Sequence, residues 1–257
     1  MKSFPKKRIL IFYTDMLTFL VTYILLDIII SPTDITLMAL IKSVTFGGTL
    51  ITNGWYLQVA LVLYVAFYLI FKFIKTDNAK LIAIFVFCIG FTAIMAACNM
   101  SSVWYHSLFT FPFGVLAVFK EDTIARYENK NKRALALVSF MLFCGFIILS
   151  VKIPSKSVAT FLEMITAICF AIFVVTLLRF VRVNYTVTRF LGSISLEIYA
   201  LQGLLLWILR TDVVDGLQGT YKALIAAAIF AATIILAWLV HPIIKAFNSK
   251  LAKQFDK

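Results

Sequence analysis

The sequence predicts an all-α polytopic transmembrane helix bundle of about eight spans, with both termini in the cytoplasm. Three observations carry this reading. Hydrophobic residues make up 62% of the 257 and charged ones only 14%, against a usual charged share of about 25%; a water-soluble domain could not hide that much apolar surface. The apolar residues fall in long runs, and roughly 20 of them cross the ~30 Å hydrocarbon layer as a helix. Lysine and arginine fall nearly always on alternate breaks between the runs.

Taken in order, the runs cover residues 9–30, 55–74, 80–98, 101–119, 134–151, 157–178, 190–209 and 222–244. An even number of spans places both termini on one side. On that side fall Lys2, Lys6, Lys7 and Arg8, then Lys72, Lys75 and Lys80, then Lys120, Arg126, Lys130, Lys132 and Arg133. Arg179, Arg182, Arg189, Lys245, Lys250, Lys253 and Lys257 follow on the same side, leaving only Lys42, Lys152, Lys156, Arg210 and Lys222 opposite. Basic loops stay cytoplasmic, so the termini are read as inside. The net charge of +12 then answers to topology and anionic lipid, and no nucleic-acid partner is needed to explain it.

No internal repeat or long linker divides the chain, so residues 1–257 read as a single integral membrane domain in the cytoplasmic membrane. The sizeable outer loop, 31–54, opens at Ser31-Pro32 and contains Gly47-Gly48 and Asn53-Gly54, residues that favour turns. The other outer breaks, 98–101, 152–157 and 210–221, are short. Cys88, Cys98, Cys144 and Cys169 lack C-x-x-C or Cys/His metal spacing and read as small packing residues, with no metal site. Met1 to Lys7 resembles the start of a signal peptide, but the apolar run after it is too long and has no A-x-A site.

Ionisable groups within a bilayer are expensive unless paired or hydrated, which makes each a functional candidate. Asp15, Asp27, Glu163 and Glu197 qualify. Asp15 lies roughly 10 Å in from Arg8, and Glu197 roughly 10 Å in from Arg189, at 1.5 Å rise per residue. The plain expectation is that these two acids pair with Arg8, Arg179, Arg182 or Arg189 and tie helices together. Asp27 falls near an outer end, and Glu163 either lines a pocket or meets a lysine.

The seventh span, Leu191 to Gly203, is polar for a membrane helix. Ser195, Tyr199 and Gln202 share one stripe, with Ser193 and Glu197 roughly opposite. Interhelical hydrogen bonding and lining a ligand site both account for them. Trp104-Tyr105-His106 opens the fourth span, where aromatic residues commonly anchor at the headgroups. His106 could serve as a general base, and a kink at Pro112 would open space beside it. His241-Pro242 reads as the termination of the last helix.

At these residues the chain resembles the acyltransferase family 3 membrane proteins. The matching elements are Lys6-Lys7-Arg8-Ile9-Leu10, Asn53-Gly54-Trp55-Tyr56-Leu57, Trp104-Tyr105 with Phe111-Pro112-Phe113-Gly114-Val115-Leu116, and Leu191-Gly192-Ser193-Ile194-Ser195-Leu196-Glu197-Ile198-Tyr199. The resemblance implies a bundle of ten helices that takes an acyl group, expected to be acetyl, from cytoplasmic acyl-CoA and passes it to an envelope carbohydrate or related acceptor. It also implies a histidine for acyl transfer in the first two helices, with the basic motif after them. Here that motif, Lys6 to Arg8, lies at the start of the chain, so eight spans are expected and neither His106 nor His241 occupies that histidine's place.

On this reading acyl-CoA is the donor substrate, its phosphates held by Lys7, Arg8, Arg182 and Arg189. Trp55, Trp104, Tyr105, Ser195, Tyr199 and Gln202 would orient the substrates. The catalytic base is left unassigned, with Glu197 and His106 as candidates. Two other classes stay open: a carrier or flippase using Asp15, Glu163 and Glu197, and a non-catalytic, shortened family member acting as a membrane partner.

Overall fold

A computed structural model describes residues 5–30, 36–45, 50, 54–178, 185–209 and 219–255, and every element among them is helical. Ser31-Pro32, Gly47-Gly48, Asn53, Arg179, Arg182 and Arg210 lie outside the described residues, as do Lys2 and Lys257, and so do the side chains of Lys6, Lys7 and Asp27. The helices are α1 (Ile11–Ile30), α2 (Leu37–Val44), α3 (Trp55–Phe73), α4 (Asp77–Ala97), α5 (Thr110–Phe119), α6 (Glu121–Lys152), α7 (Lys156–Leu178), α8 (Tyr185–Ser193), α9 (Ser195–Leu209) and α10 (Gly219–Phe255). A π-helical stretch, Pro5–Leu10, leads into α1.

Six helices among the described residues are long and apolar enough to cross a membrane: Arg8–Leu25, Trp55–Phe73, Asp77–Ala97, Asn131–Lys152, Lys156–Leu178 and Tyr221–Phe247. They coincide with six of the eight predicted spans. Their apolar surface is not spent on the protein interior; only 6% of the Asn131–Lys152 window is buried, and Met141 and Val151 point outward. Hydroxyls within the helices donate to their own backbone, as Thr166 does to the Leu162 carbonyl (2.7 Å) and Thr233 to Ile229 (2.8 Å). No water is present in a bilayer core to satisfy them otherwise.

The two remaining spans differ from expectation. Residues 101–109 form a short 3₁₀ turn, Ser102–Trp104, and further turns, and α5 runs only from Thr110 to Phe119. Pro112 therefore stands in the first turn of α5, where an amide would have no helical partner anyway, and the expected mid-helix kink is replaced by a late start. The span 190–209 is divided at Ile194. Ser193 and Ser195 donate to the carbonyls of Phe190 (2.7 Å) and Gly192 (3.0 Å), and such local side-chain bonds compete with helix continuation.

Three further segments depart from the sequence reading. The cytoplasmic loop expected at 120–133 is the first part of α6, joined to the apolar part through Asn131, which is non-helical at φ −123 and ψ 16. The 31–54 loop contains α2, whose N-cap Thr36 accepts from the Ala39 amide (3.2 Å). His241-Pro242 does not end the last helix: α10 continues to Phe255 with Pro242 inside it. Such prolines are tolerated in membrane helices because neighbouring groups satisfy the freed backbone.

The chain forms two compact units. A terminal unit comprises Met1–Val65 and Asn184–Lys257, and a central unit comprises Ala66–Val183; α3 supplies its first part to one and its last part to the other. The terminal unit is centred on Met16, Phe19, Leu20 and Tyr23 of α1, with Leu57, Ala200 and Ile244. In the central unit α6 and α7 form an antiparallel pair: Phe140 meets Phe173 at 5.0 Å between ring centroids and Phe143 meets Phe170 at 5.2 Å. Phe113 of α5 stands edge-on to Phe85 of α4 at 5.5 Å.

Candidate active site in the terminal unit

The break at Ile194 positions the main polar contact of the terminal unit. Ile194 is fully buried and packs with Leu201 and Ala237, which seats the start of α9 against α10. Glu197 falls in the first turn of α9, a favourable place for a carboxylate because the helix dipole is positive there. From it Glu197 Oε1 reaches Nδ1 of His241 on α10 at 2.7 Å. With the carboxylate ionised it can only accept, so Nδ1–H donates and the distal Nε2 is the basic nitrogen.

The two side chains are unequally covered: 6% of the Glu197 side chain is exposed and 28% of His241. The buried acid orients the ring, and the imidazole is the member a substrate can touch. That arrangement suits general-base chemistry, in which a fixed imidazole takes a proton from a hydroxyl within hydrogen-bond reach. The expected partners of Glu197 were arginines; its partner is instead an imidazole 44 positions away in sequence. The sequence alone does not single out His241, because a proline after it is compatible with a helix end. The available signal was one acid in the seventh span and one imidazole near the end of the eighth.

Tyr199, two residues beyond Glu197, points elsewhere and meets Tyr56 of α3 at 4.8 Å. Tyr56 in turn stands edge-on to Trp55 at 6.0 Å. Tyr23 of α1 donates to the Ala200 carbonyl at 2.8 Å, a buried bond that ties α1 to α9. Gln58 of α3 donates from Nε2 to the Ser43 carbonyl of α2 at 3.1 Å, and Ser43 Oγ accepts from the Leu50 amide. Asp15 is buried in α1 at 8% exposure.

The other predicted residues are distributed as follows. Arg8 and Arg189 are exposed in the terminal unit; Ser195 is exposed, with its hydroxyl engaged at the α8–α9 break, and Gln202 is half-buried. Trp104, Tyr105, His106 and Glu163 belong to the central unit. Trp104 is buried at 6% exposure and is not a headgroup anchor. His106 Nδ1 lies 3.2 Å from the Ser102 carbonyl; a carbonyl only accepts, so Nδ1 carries the proton and braces the turn before α5. Tyr105 and Lys156 border a cleft in that unit.

No curated protein and no solved structure matches the chain. A family model does: the acyltransferase 3 type, described as "Acyltransferase domain", matches residues 2–241. That stretch includes all four elements carrying the sequence resemblance and both members of the Glu197–His241 pair. On the strength of a match that leaves out only Met1 and residues 242–257, the chain belongs to acyltransferase family 3, a family of membrane acyltransferases.

Proposed function

We propose that this chain is an O-acyltransferase of the cytoplasmic membrane that moves an acetyl group from cytoplasmic acetyl-CoA to a hydroxyl of a cell-envelope carbohydrate. Family membership supports acyl transfer in general. The observation that carries the chemistry is the 2.7 Å contact between a buried Glu197 and a more accessible His241. In the reaction, the acceptor oxygen attacks the thioester carbon while its proton passes to Nε2 of His241. The C–S bond then breaks, and the proton is delivered to the departing CoA sulfur. Glu197 holds the ring and stabilises the imidazolium that forms, as an acid does beside an imidazole in hydrolytic triads.

Arg8 and Arg189, with Lys7 and Arg182, supply cations for the donor's phosphates. Arg8 and Arg189 are both exposed and both belong to the same unit as the pair. The aromatic contact of Tyr56 with Tyr199 flanks α9 on another face and offers a flat surface on which a sugar ring can lie.

The test is acetyl transfer by the purified chain in membranes, with radiolabelled acetyl-CoA and envelope polysaccharide. Label should enter the polysaccharide, and Glu197→Gln and His241→Gln should each lower the rate by about 10²-fold or more, the usual weight of a general base. Lys7→Ala with Arg8→Ala should raise the KM for acetyl-CoA and spare kcat. Label transfer unchanged in both site variants would refute the assignment of the pair. At acetyl-CoA well below the KM, CoA release by the intact chain no greater than by the Lys7/Arg8 variant would refute acyl transfer from CoA.

A further inference from the structure

The central unit contains a cleft of about 790 Å³ bordered by α4, α5 and α7, which the acyl-transfer reading does not use. Its lining changes along its length. At one end stand Asn99, just past α4, Tyr105, and Lys156 and Ser157 at the opening of α7. Further in the wall is apolar, formed by Ile89, Phe113, Phe161, Ile165 and Ile168. From Lys156 to Ile168 the helix rises roughly 18 Å, close to one leaflet's half of a hydrocarbon layer ~30 Å thick.

The mouth owes its form to the end of α4. Asn99 adopts a left-handed conformation, φ 54, and the Asn99 and Met100 amides bond back to Ala96 and Met95, both at 3.0 Å. This is a Schellman ending; it stops the helix sharply and leaves room before Tyr105. The mouth is polar and the depth apolar, and the walls belong to helices whose outer faces are themselves apolar. A lipid chain with its headgroup at the mouth has the same polarity profile.

Two side chains define the headgroup and the linkage. Lys156 is exposed at the mouth, and no acid pairs with it among the described residues; an ammonium so placed is a partner for a phosphate. Thr92 lines the cleft between Asn99 and Ile89 on α4, and its buried hydroxyl finds no hydrogen-bond partner among the described residues. A buried donor left unmatched is costly, and an ester carbonyl would accept from it. We infer that this cleft holds one acyl chain of an anionic glycerophospholipid, its phosphate at Lys156 and an ester carbonyl at Thr92.

The test is native mass spectrometry of the purified full chain with phosphatidylglycerol, with phosphatidylcholine, with the diether analogue of phosphatidylglycerol, and with inorganic phosphate. Phosphatidylglycerol should bind about 10-fold more tightly than phosphatidylcholine, a difference of one headgroup contact, and inorganic phosphate should not be retained. Lys156→Gln should remove that preference while keeping lipid bound, and Ala93→Phe, which fills the cleft, should remove retention of both lipids. The diether lipid should bind the unaltered chain more weakly than the ester lipid, and Thr92→Val should abolish that difference. Four results overturn the inference: a preference that survives Lys156→Gln, ester and ether lipids bound equally by the unaltered chain, phosphatidylglycerol retained by Ala93→Phe, or retention of inorganic phosphate alone. The ester and ether comparison uses unaltered protein, so a variant that fails to fold does not decide the outcome.

Discussion

In the terminal unit, beside its apolar packing and the Tyr56–Tyr199 ring contact, three polar contacts join helices. Tyr23 bonds the Ala200 carbonyl, Gln58 bonds the Ser43 carbonyl, and Glu197 bonds His241. In the central unit helices meet through rings: Phe140 with Phe173, Phe143 with Phe170, Phe85 with Phe113 and Phe67 with Phe111. Both units are built from helices of similar apolar character, so hydropathy does not distinguish them. The difference is in what a helix loses when its partner shifts. A ring slides against another ring at small cost, whereas a buried acid that loses its imidazole is left in a medium that cannot solvate it. Polar cross-links therefore fix register between the helices they join in the terminal unit, and ring contacts leave the helices of the central unit freer to shift.

The comparison is most exposed to change at Glu197. Glu197→Gln keeps the shape of the side chain and removes the charge that steadies an imidazolium, and the expected loss in acyl transfer is about 10²-fold or more. Glu197→Ala also leaves the His241 ring without its acceptor, and thermal unfolding in detergent should show a loss of about 1–3 kcal/mol. If Glu197→Ala were as stable as the parent, the polar contacts would not be what holds the terminal unit.

A weaker effect is expected from the rings. In a double-mutant cycle, Phe143→Leu and Phe170→Leu should couple by about 0.5–1.5 kcal/mol, the usual increment of an aromatic pair. Acyl transfer should be unaffected in either single variant. Gln58→Leu should cost about 1 kcal/mol, one net hydrogen bond, and the loss should be local. Hydrogen exchange at the α2 amides should quicken while those of α9 stay protected, because Gln58 holds α2 through the Ser43 carbonyl.

The sequence made the spans legible wherever apolar runs reached the bilayer's length, because a count of residues at fixed rise decides that question with no tertiary information. It did not reveal the helix breaks at 101–109 and Ile194, where local chemistry interrupts a run of adequate hydropathy. Pro112 is compatible with either a kink or a first turn, and only packing chooses between them. Ser193 and Ser195 are compatible in sequence with interhelical bonding or with lining a site, and in the structure their hydroxyls bond the local backbone. At the site the acid was visible because a carboxylate at membrane depth is rare; its partner was not, since the approach of α9 to α10 is a tertiary fact. The cleft could not be foreseen either, since its mouth depends on how Asn99 ends α4 and where α7 begins.

The smallest expected effect concerns an ion pair of the central unit, at the start of α4. Lys80 Nζ lies 2.8 Å from Asp77 Oδ1, and 67% of the Asp77 side chain is exposed. The same ammonium lies 5.2 Å from the centroid of Phe71, and Lys72 is similarly placed over Phe73 at 5.2 Å. Exposed pairs contribute about 0–1 kcal/mol, and a cation over a ring at an exposed site contributes about 0.5–1 kcal/mol. Asp77→Asn should therefore shift unfolding by less than about 0.5 kcal/mol, and Phe71→Leu should shift it by more. That order, measured by thermal unfolding at low and high salt, separates the two contacts, since salt weakens the exposed ion pair and leaves the ring contact largely intact. The reverse order would mean that an acid, not a ring, secures the turn between α3 and α4, and the contrast between the two units would then be confined to their membrane-embedded parts.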